Sequence, residues 1–228
     1  MSAQTSRILN HFTLYSFTES YWQLSSGARD EFHQQWLTGL REAAQQIHIY
    51  QVFPAETRGD ILVWSAVTVL ENCDTARLFE GYARATNPYR GLIQPTDVLW
   101  GYTRPSEYTK TRSTREIDPF SEMRKTYLVI YPFVKTTDWY LMGREARQGM
   151  MNEHIRIGKQ YEEIGQILLY SFGVQDQEFV VVYEMEDLTL FSNLVHELRS
   201  TEGRRFTERD TPLHTAIYHP ANETLALF

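Results

Sequence analysis

Apolar residues recur along this chain with two periods, and the whole pattern occurs twice. Phe32, Trp36, Leu40, Ala43 and Ile47 keep the i, i+3, i+4 spacing of a one-sided helix, as do Phe191, Leu194, Val195 and Leu198. Short β-branched and aromatic runs predict strands, among them Ile61-Leu62-Val63-Trp64 and, at the matching distance in the second half, Phe179-Val180-Val181-Val182. Leu14-Tyr15-Ser16-Phe17, Tyr21-Trp22 and Ala28-Arg29 in the first half answer to Ile130-Tyr131-Pro132-Phe133, Trp139-Tyr140 and Ala146-Arg147 in the second. Each half reads strand, helix, strand, strand, helix, strand. In the second half these fall at 126–133, 143–161, 166–172, 179–185, 188–199 and 214–218.

That βαββαβ order predicts an α+β protein of two tandem ferredoxin-like units, of the dimeric α+β barrel type, with helices on one face of antiparallel sheets. Two packed sheets leave room for a cavity between one sheet and its helices. The expected division is 1–108 for the first repeat, 109–125 for a basic linker and 126–228 for the second repeat. The stretch 104–125 is polar and turn-rich, with five cationic residues from Lys110 to Lys125. It reads either as a solvated connector or as a basic flap over an anionic ligand.

With 228 residues, 42% of them hydrophobic, the chain has enough apolar side chains for a substantial core. Its formal charge of −7 speaks against nucleic acid, whose phosphates need a surplus of Lys and Arg. One cysteine, Cys73, excludes an internal disulfide and any Cys-rich metal site. No secretory h-region is visible, and the longest mostly apolar run, 61–70, is too short to span a bilayer, so a soluble cytoplasmic protein is expected.

Among candidate chemistry, His154 stands mid-helix on the face of Arg147, Met150, Met151, Ile157 and Tyr161. A neutral imidazole on an apolar helix face suits an iron ligand; a satisfied core histidine has the same pattern. The first repeat has Trp36 at the matching position. Alternation puts Tyr127, Val129, Tyr131, Phe133 and Lys135 on one strand face. Tyr131 with Lys135 there is suited to holding a carboxylate or to oxidation of the phenol; the plainer reading is an aromatic strand residue with a lysine stem along it. There is no Gly-rich phosphate loop, HExxH or Gly-x-Ser-x-Gly. His11, His33, His48, His196 and His219 are read as structural residues at turns or beside polar neighbours, and His214 as the start of the last strand.

Together the second-half residues resemble the chlorite-dismutase-like family of haem proteins. The matching positions run Tyr131-Pro132-Phe133-Val134-Lys135, Trp139-Tyr140, Ala146-Arg147-x-x-Met150-Met151-x-x-His154-x-x-Ile157-Gly158-x-x-Tyr161, Ser171-Phe172-Gly173-Val174-x-Asp176 and Phe191-x-x-Leu194-Val195-x-Glu197-Leu198-Arg199. The resemblance covers about 126–220 well, and the first half through the repeat and Ser106-x-Tyr108. It implies a duplicated ferredoxin-like fold, a ring-shaped homopentamer and a porphyrin in the second repeat. By position, His154 resembles the iron ligand and Glu202 the carboxylate that bonds its far nitrogen. Tyr131 resembles the redox-active tyrosine of the iron-coproporphyrin decarboxylases, with Lys135 as partner to a propionate and Arg199 as a bidentate propionate clamp. Tyr108, Ser106, Phe133, Trp139 and Met150 fall among the porphyrin contacts.

The implied reaction uses hydrogen peroxide to turn two propionates of iron-coproporphyrin III into vinyl groups, giving haem b. Alternatives are chlorite dismutation to chloride and dioxygen, a non-catalytic haem-binding protein, and a barrel without porphyrin. Chlorite dismutases carry a distal arginine. Here alignment from Ser171-Phe172-Gly173 gives Gln166 and alignment from His154 gives Ile167, neither of them a cation. Phe133 stands where methionine is more usual, and 211–215 looks nearer to the chlorite-degrading branch.

Overall fold

A computed structural model describes residues 7–108 and 115–228. The first repeat comprises β1 (Arg7–Phe17), α1 (Glu19–Trp22), α2 (Ser26–Ala43), β2 (Gln46–Gln51), β3 (Ile61–Val69), α3 (Asp74–Thr86) and β4 (Ile93–Thr103). The second has β5 (Tyr127–Lys135), α4 (Thr137–Leu141), α5 (Arg144–Gly158), β6 (Gly165–Tyr170), β7 (Phe179–Met185), α6 (Leu188–Arg199), β8 (Thr207–Arg209), β9 (His214–Tyr218) and α7 (Ala221–Leu225). The duplicated α+β reading holds. Strand order is β4-β1-β3-β2 in one repeat and β9-β5-β7-β6 in the other, the same arrangement twice.

The expectation of two packed sheets needs correction. Each fourth strand pairs with the other repeat's second strand: Tyr102↔Tyr170 joins β4 to β6, and Tyr50↔Tyr218 joins β2 to β9. Eight strands thus close on themselves. The physical reason is the edges: two open sheets would leave four rows of unpaired N–H and C=O groups, and closure pairs them. Inward-facing side chains from both repeats fill the barrel, including Phe12, Leu62, Trp64, Leu128, Ile130, Ile167, Leu169, Val180 and Val182. The helices cover the outside, α2 and α3 over the first repeat, α5 and α6 over the second.

The linker is also not what the sequence suggested. Lys110 and Arg112 lie outside the described residues, but Ile117 is buried in the barrel core and Gln166 pairs with Glu116 in a short parallel bridge. Arg115 donates to the carbonyls of Gly158 and Tyr161 at 2.6 and 2.9 Å, capping the end of α5. Arg124 pairs with Glu184 at 3.3 Å and lies over the Trp64 ring, and Lys125 donates to the Glu163 carbonyl. Three of the five cations are therefore held by bonds within the fold rather than free to cover an anion.

His11 and His48 are buried on strands and His33 bonds Tyr21 from within α2, so these are not turn residues. No helix among the described residues is long and apolar enough to cross a membrane.

Candidate functional site

The two repeats treat their outer sheet faces differently. In the first, Trp36 is fully buried against Tyr15 and donates its ring N–H to Thr86 at 3.3 Å, so the space under α2 is filled. In the second, α5 buries only Ile157 completely, while Arg147, Met150, Met151 and His154 are half-buried. The helix itself is well specified: Gly143 precedes it, Glu145 sits in its first turn and Arg156 in its last, complementing the dipole. Positions 147, 150, 151, 154 and 157 fall on one face. That face meets the outer side of β5 and β7, where Tyr131, Val181 and Leu198 pack around Ile157 and Tyr161.

His154 has no hydrogen-bond partner among the described residues. Burial pushes its pKa down to about 4, and the nearby Lys135 ammonium adds to the effect against the opposing Glu153. The ring is neutral and its nitrogens are uncommitted, as an iron ligand requires. The expected bond from Glu202 is absent. That carboxylate opens a short turn and pairs with Arg205 at 3.4 Å, one turn on, while its backbone N–H meets Glu153.

Lys135 ends β5 with its ammonium 4.3 Å above the Trp139 ring centroid and bonded to the Gly203 carbonyl at 3.2 Å. Burial and then Arg204 depress its pKa to about 8, against the pull of Glu178. Glu178 accepts from the Lys135 backbone at 2.8 Å and from the Tyr140 hydroxyl at 2.5 Å, fixing the strand end against α4.

Tyr131 faces the same side as Lys135, its ring 6.3 Å from that of Tyr183 at 29°. Burial holds its pKa well above 10, helped by Tyr183 and Asp210 and opposed by Arg199. The phenol is protonated at any physiological pH. Arg199, at the end of α6, reaches Asp210 at 3.5 Å, and Arg204 reaches the same oxygen at 2.5 Å. The structure thus joins His154, Lys135, Tyr131, Trp139 and Arg199 in one neighbourhood.

Strand alternation separates the two distal candidates. Ile167 points into the barrel core, whereas Gln166 is exposed on the opposite, helix-bearing face. Gln166 lies in register with Tyr183, and Leu168 with Val181 and so with Tyr131. Ile167 cannot reach a ligand outside the barrel.

Tyr108 sits near Trp139, with ring centroids 6.5 Å apart, and its carbonyl accepts from Gln148. Ser106 is exposed and its hydroxyl caps the Tyr108 N–H at 3.2 Å, a local turn contact. Phe133 packs edge-on to Phe179. Arg147, whose charge acts on Tyr108, has a buried Nε without a partner among the described residues, a donor suited to an anionic group.

Sequence reading missed Arg204, Asp210, Tyr183 and Arg147 as site residues. Only the mixed-charge run Arg204-Arg205-Phe206-Thr207-Glu208-Arg209-Asp210 hinted at the first two. Two hollows flank the cluster without including His154. One, of about 260 Å³, lies at a barrel mouth beside Asp97, Pro132 and Arg209; the other, of about 450 Å³, lies on the outer side of α5.

Comparison with known proteins bears on the fold and the family. The model of the family described as chlorite dismutase matches residues 23–218. The chain is 26% identical over 170 residues to the coproheme decarboxylase of Mycolicibacterium smegmatis, covering 73% of this chain and 70% of that one. It is 26% identical over 156 residues to the coproheme decarboxylase of Staphylococcus carnosus, covering 64% and 62%. A variant of chlorite dismutase from Candidatus Nitrospira defluvii superposes with a TM-score of 0.81 at 19% identity, covering 98% of this chain and 96% of that one. With more than four-fifths of its length matched by the family model and its fold shared throughout, this chain belongs to the chlorite dismutase family.

Proposed function

We propose that the chain is a haem-dependent oxidoreductase that decarboxylates iron-coproporphyrin III to haem b, with hydrogen peroxide as the oxidant. The observation that carries this reading is the grouping of a half-buried, protonated Tyr131 with cations, Lys135 and Arg199, beside the uncommitted imidazole of His154. The names of the relatives from Mycolicibacterium smegmatis and Staphylococcus carnosus support it. A cytoplasmic setting and a ring-shaped homopentamer go with it.

His154 is the residue to hold the iron, through a neutral nitrogen. When bound, the iron porphyrin supplies activation of peroxide and one-electron oxidising power. Everything else falls to the chain. Lys135 and Arg199 offer charge-assisted bonds to propionates, Arg147 brings an unpaired donor at the far corner, and Trp139 and Met150 give apolar walls. Tyr131 holds its proton tightly, so it gives up electron and proton together and then, as the oxidised phenol, takes hydrogen from a propionate β-carbon. Each round balances as one propionate, one peroxide and one proton giving a vinyl group, carbon dioxide and two waters. Gln166, the distal candidate on the helix-bearing face, brings no charge.

The test is a mass assay. Iron-coproporphyrin III with peroxide should lose the mass of CO2 plus two hydrogens twice over. Tyr131→Phe should bind the porphyrin and leave its mass unaltered. Unchanged porphyrin with the unaltered chain would mark a carrier, and rapid oxygen release from chlorite would mark a chlorite dismutase; either result removes the proposal.

A further inference from the structure

The cationic corner of the site already contains a carboxylate. Asp210 Oδ2 lies 2.5 Å from Arg204 Nη1 and 3.5 Å from Arg199 Nη2, and its side chain is only 18% exposed. The charge of Arg204 acts on Lys135, and those of Asp210 and Arg199 act on Tyr131, so this ion cluster lies within electrostatic reach of the phenol and the ammonium. Asp210 follows β8, a three-residue strand held to β5 by two register pairs, Val134↔Arg209 and Lys135↔Thr207, with a shift between them. The segment after it, to His214, lies outside any strand. Asp210 is therefore tethered beside the site at high effective concentration, on backbone that is lightly held.

We infer that Asp210 is an internal stand-in for a ligand carboxylate: it neutralises Arg199 and Arg204 while the site is empty, and a porphyrin propionate displaces it from Arg204. This rests on the porphyrin reading above and adds Arg204 to the residues that receive a carboxylate. Two like charges facing an empty site repel one another, and a tethered carboxylate removes that cost. A tethered competitor also lowers apparent affinity by the fraction of molecules in which it holds the arginines. A free small anion meets an already paired site, whereas a porphyrin anchored elsewhere through its iron can complete the exchange.

The experiment is a Soret titration of ferric coproporphyrin III and of its tetramethyl ester, which has no carboxylates, against four proteins. Asp210→Asn should bind the acid form about threefold to fivefold tighter than the unaltered chain, the scale of a partly exposed ion pair, and bind the ester no differently. Asp210→Glu, which keeps the charge, should titrate like the unaltered chain. Arg204→Gln should loosen the acid form alone. Equal affinities of Asp210→Asn and the unaltered chain for the acid form, or an equal gain on the ester, would overturn the inference while leaving porphyrin binding intact. If the unaltered chain shifts the Soret band of neither compound, the porphyrin reading falls, and the inference with it.

Discussion

His214 Nε2 lies 2.9 Å from Asp97 Oδ2, tying the fourth strand of one repeat to the fourth strand of the other. Its Nδ1 lies 2.6 Å from Glu56 Oε1, so a ring only 1% exposed is held between two carboxylates at a barrel mouth. Burial alone would lower the imidazole pKa, but the bonds to Asp97 and Glu56 and their charges outweigh it and leave it raised above 6.5. The His214 bond in turn holds Asp97 below 3.8. A raised histidine contributes stability that is full below its unfolded value and lost as pH rises through its folded one. A depressed aspartate contributes stability that is full above its unfolded value and lost as pH falls through its folded one. The clamp is thus fully made between about pH 4 and 6.5.

His214→Gln should flatten this dependence. Melting curves from pH 4 to 9 should show the unaltered chain losing stability on the alkaline side, and the variant starting lower by ~2 kcal/mol at pH 6 and losing less than the unaltered chain above pH 7. Parallel profiles for the two proteins would show that His214 is not the group responsible.

The opposite charge logic operates at the buried pair of Arg124 and Glu184, whose side chains are 2% and 6% exposed. Burial raises the Glu184 pKa to about 7, although Arg124 and the bond from the Tyr50 hydroxyl both favour the anion. Since the folded value exceeds the unfolded 4.5, the carboxyl costs stability as pH rises from there through 7. Arg124→Met removes the main compensation, so the variant should lose roughly 3 kcal/mol at pH 8 and much less at pH 5, where Glu184 takes a proton. Urea titrations at the two pH values measure the difference.

Much of this architecture is legible in the chain because it is local. The bounds of β7, α6 and β9 follow directly from the runs 179–185, 188–199 and 214–218, since each is a single uninterrupted period. The 143–161 helix instead stops at Gly158, where Arg115 caps its carbonyls from far away in sequence. The barrel type was expected, but the pairs that close it were not legible, for the same reason: Tyr102↔Tyr170 and Tyr50↔Tyr218 are pairings of edges, and no periodicity within a strand encodes its neighbour. Within the site, His154, Tyr131 and Lys135 lie on regular elements and could be placed by spacing, and Arg199 came through the family resemblance. Arg204 and Asp210 lie on a turn and a strand end, where spacing says nothing about direction.

Lys135 shows what the site costs the fold. Its ammonium is held in a place dry enough to bring its pKa down to about 8, with a carbonyl and the Trp139 ring as partial compensation. Lys135→Met keeps the length of the stem and removes the charge. The ligand-free variant should melt ~2–4 °C higher, the shift expected of about 1 kcal/mol in a chain of this size. Its affinity for iron-coproporphyrin should fall. A lower melting point with undiminished affinity would show that Lys135 serves the fold rather than the ligand.

Gln166 and Ile167 are adjacent, yet the sheet assigns them to different worlds. Ile167 is 4% exposed and packs with Leu169, Val180 and Val182 inside the barrel. Ile167→Ala should cost ~2–4 kcal/mol through the cavity it leaves, and should leave the spectrum of bound porphyrin unchanged. Gln166 is exposed beside Tyr183 on the helix-bearing face, so Gln166→Ala should alter stability by no more than ~0.5 kcal/mol. If the residue acts on the peroxide side of the ligand, the same change should slow product formation with porphyrin affinity held. Thermal melts and single-turnover mass spectra on the two variants separate the roles completely. A Gln166 variant that melts early, or an Ile167 variant that shifts the Soret band, would reverse the strand's assignment of inside and outside, and with it the face on which the ligand is expected.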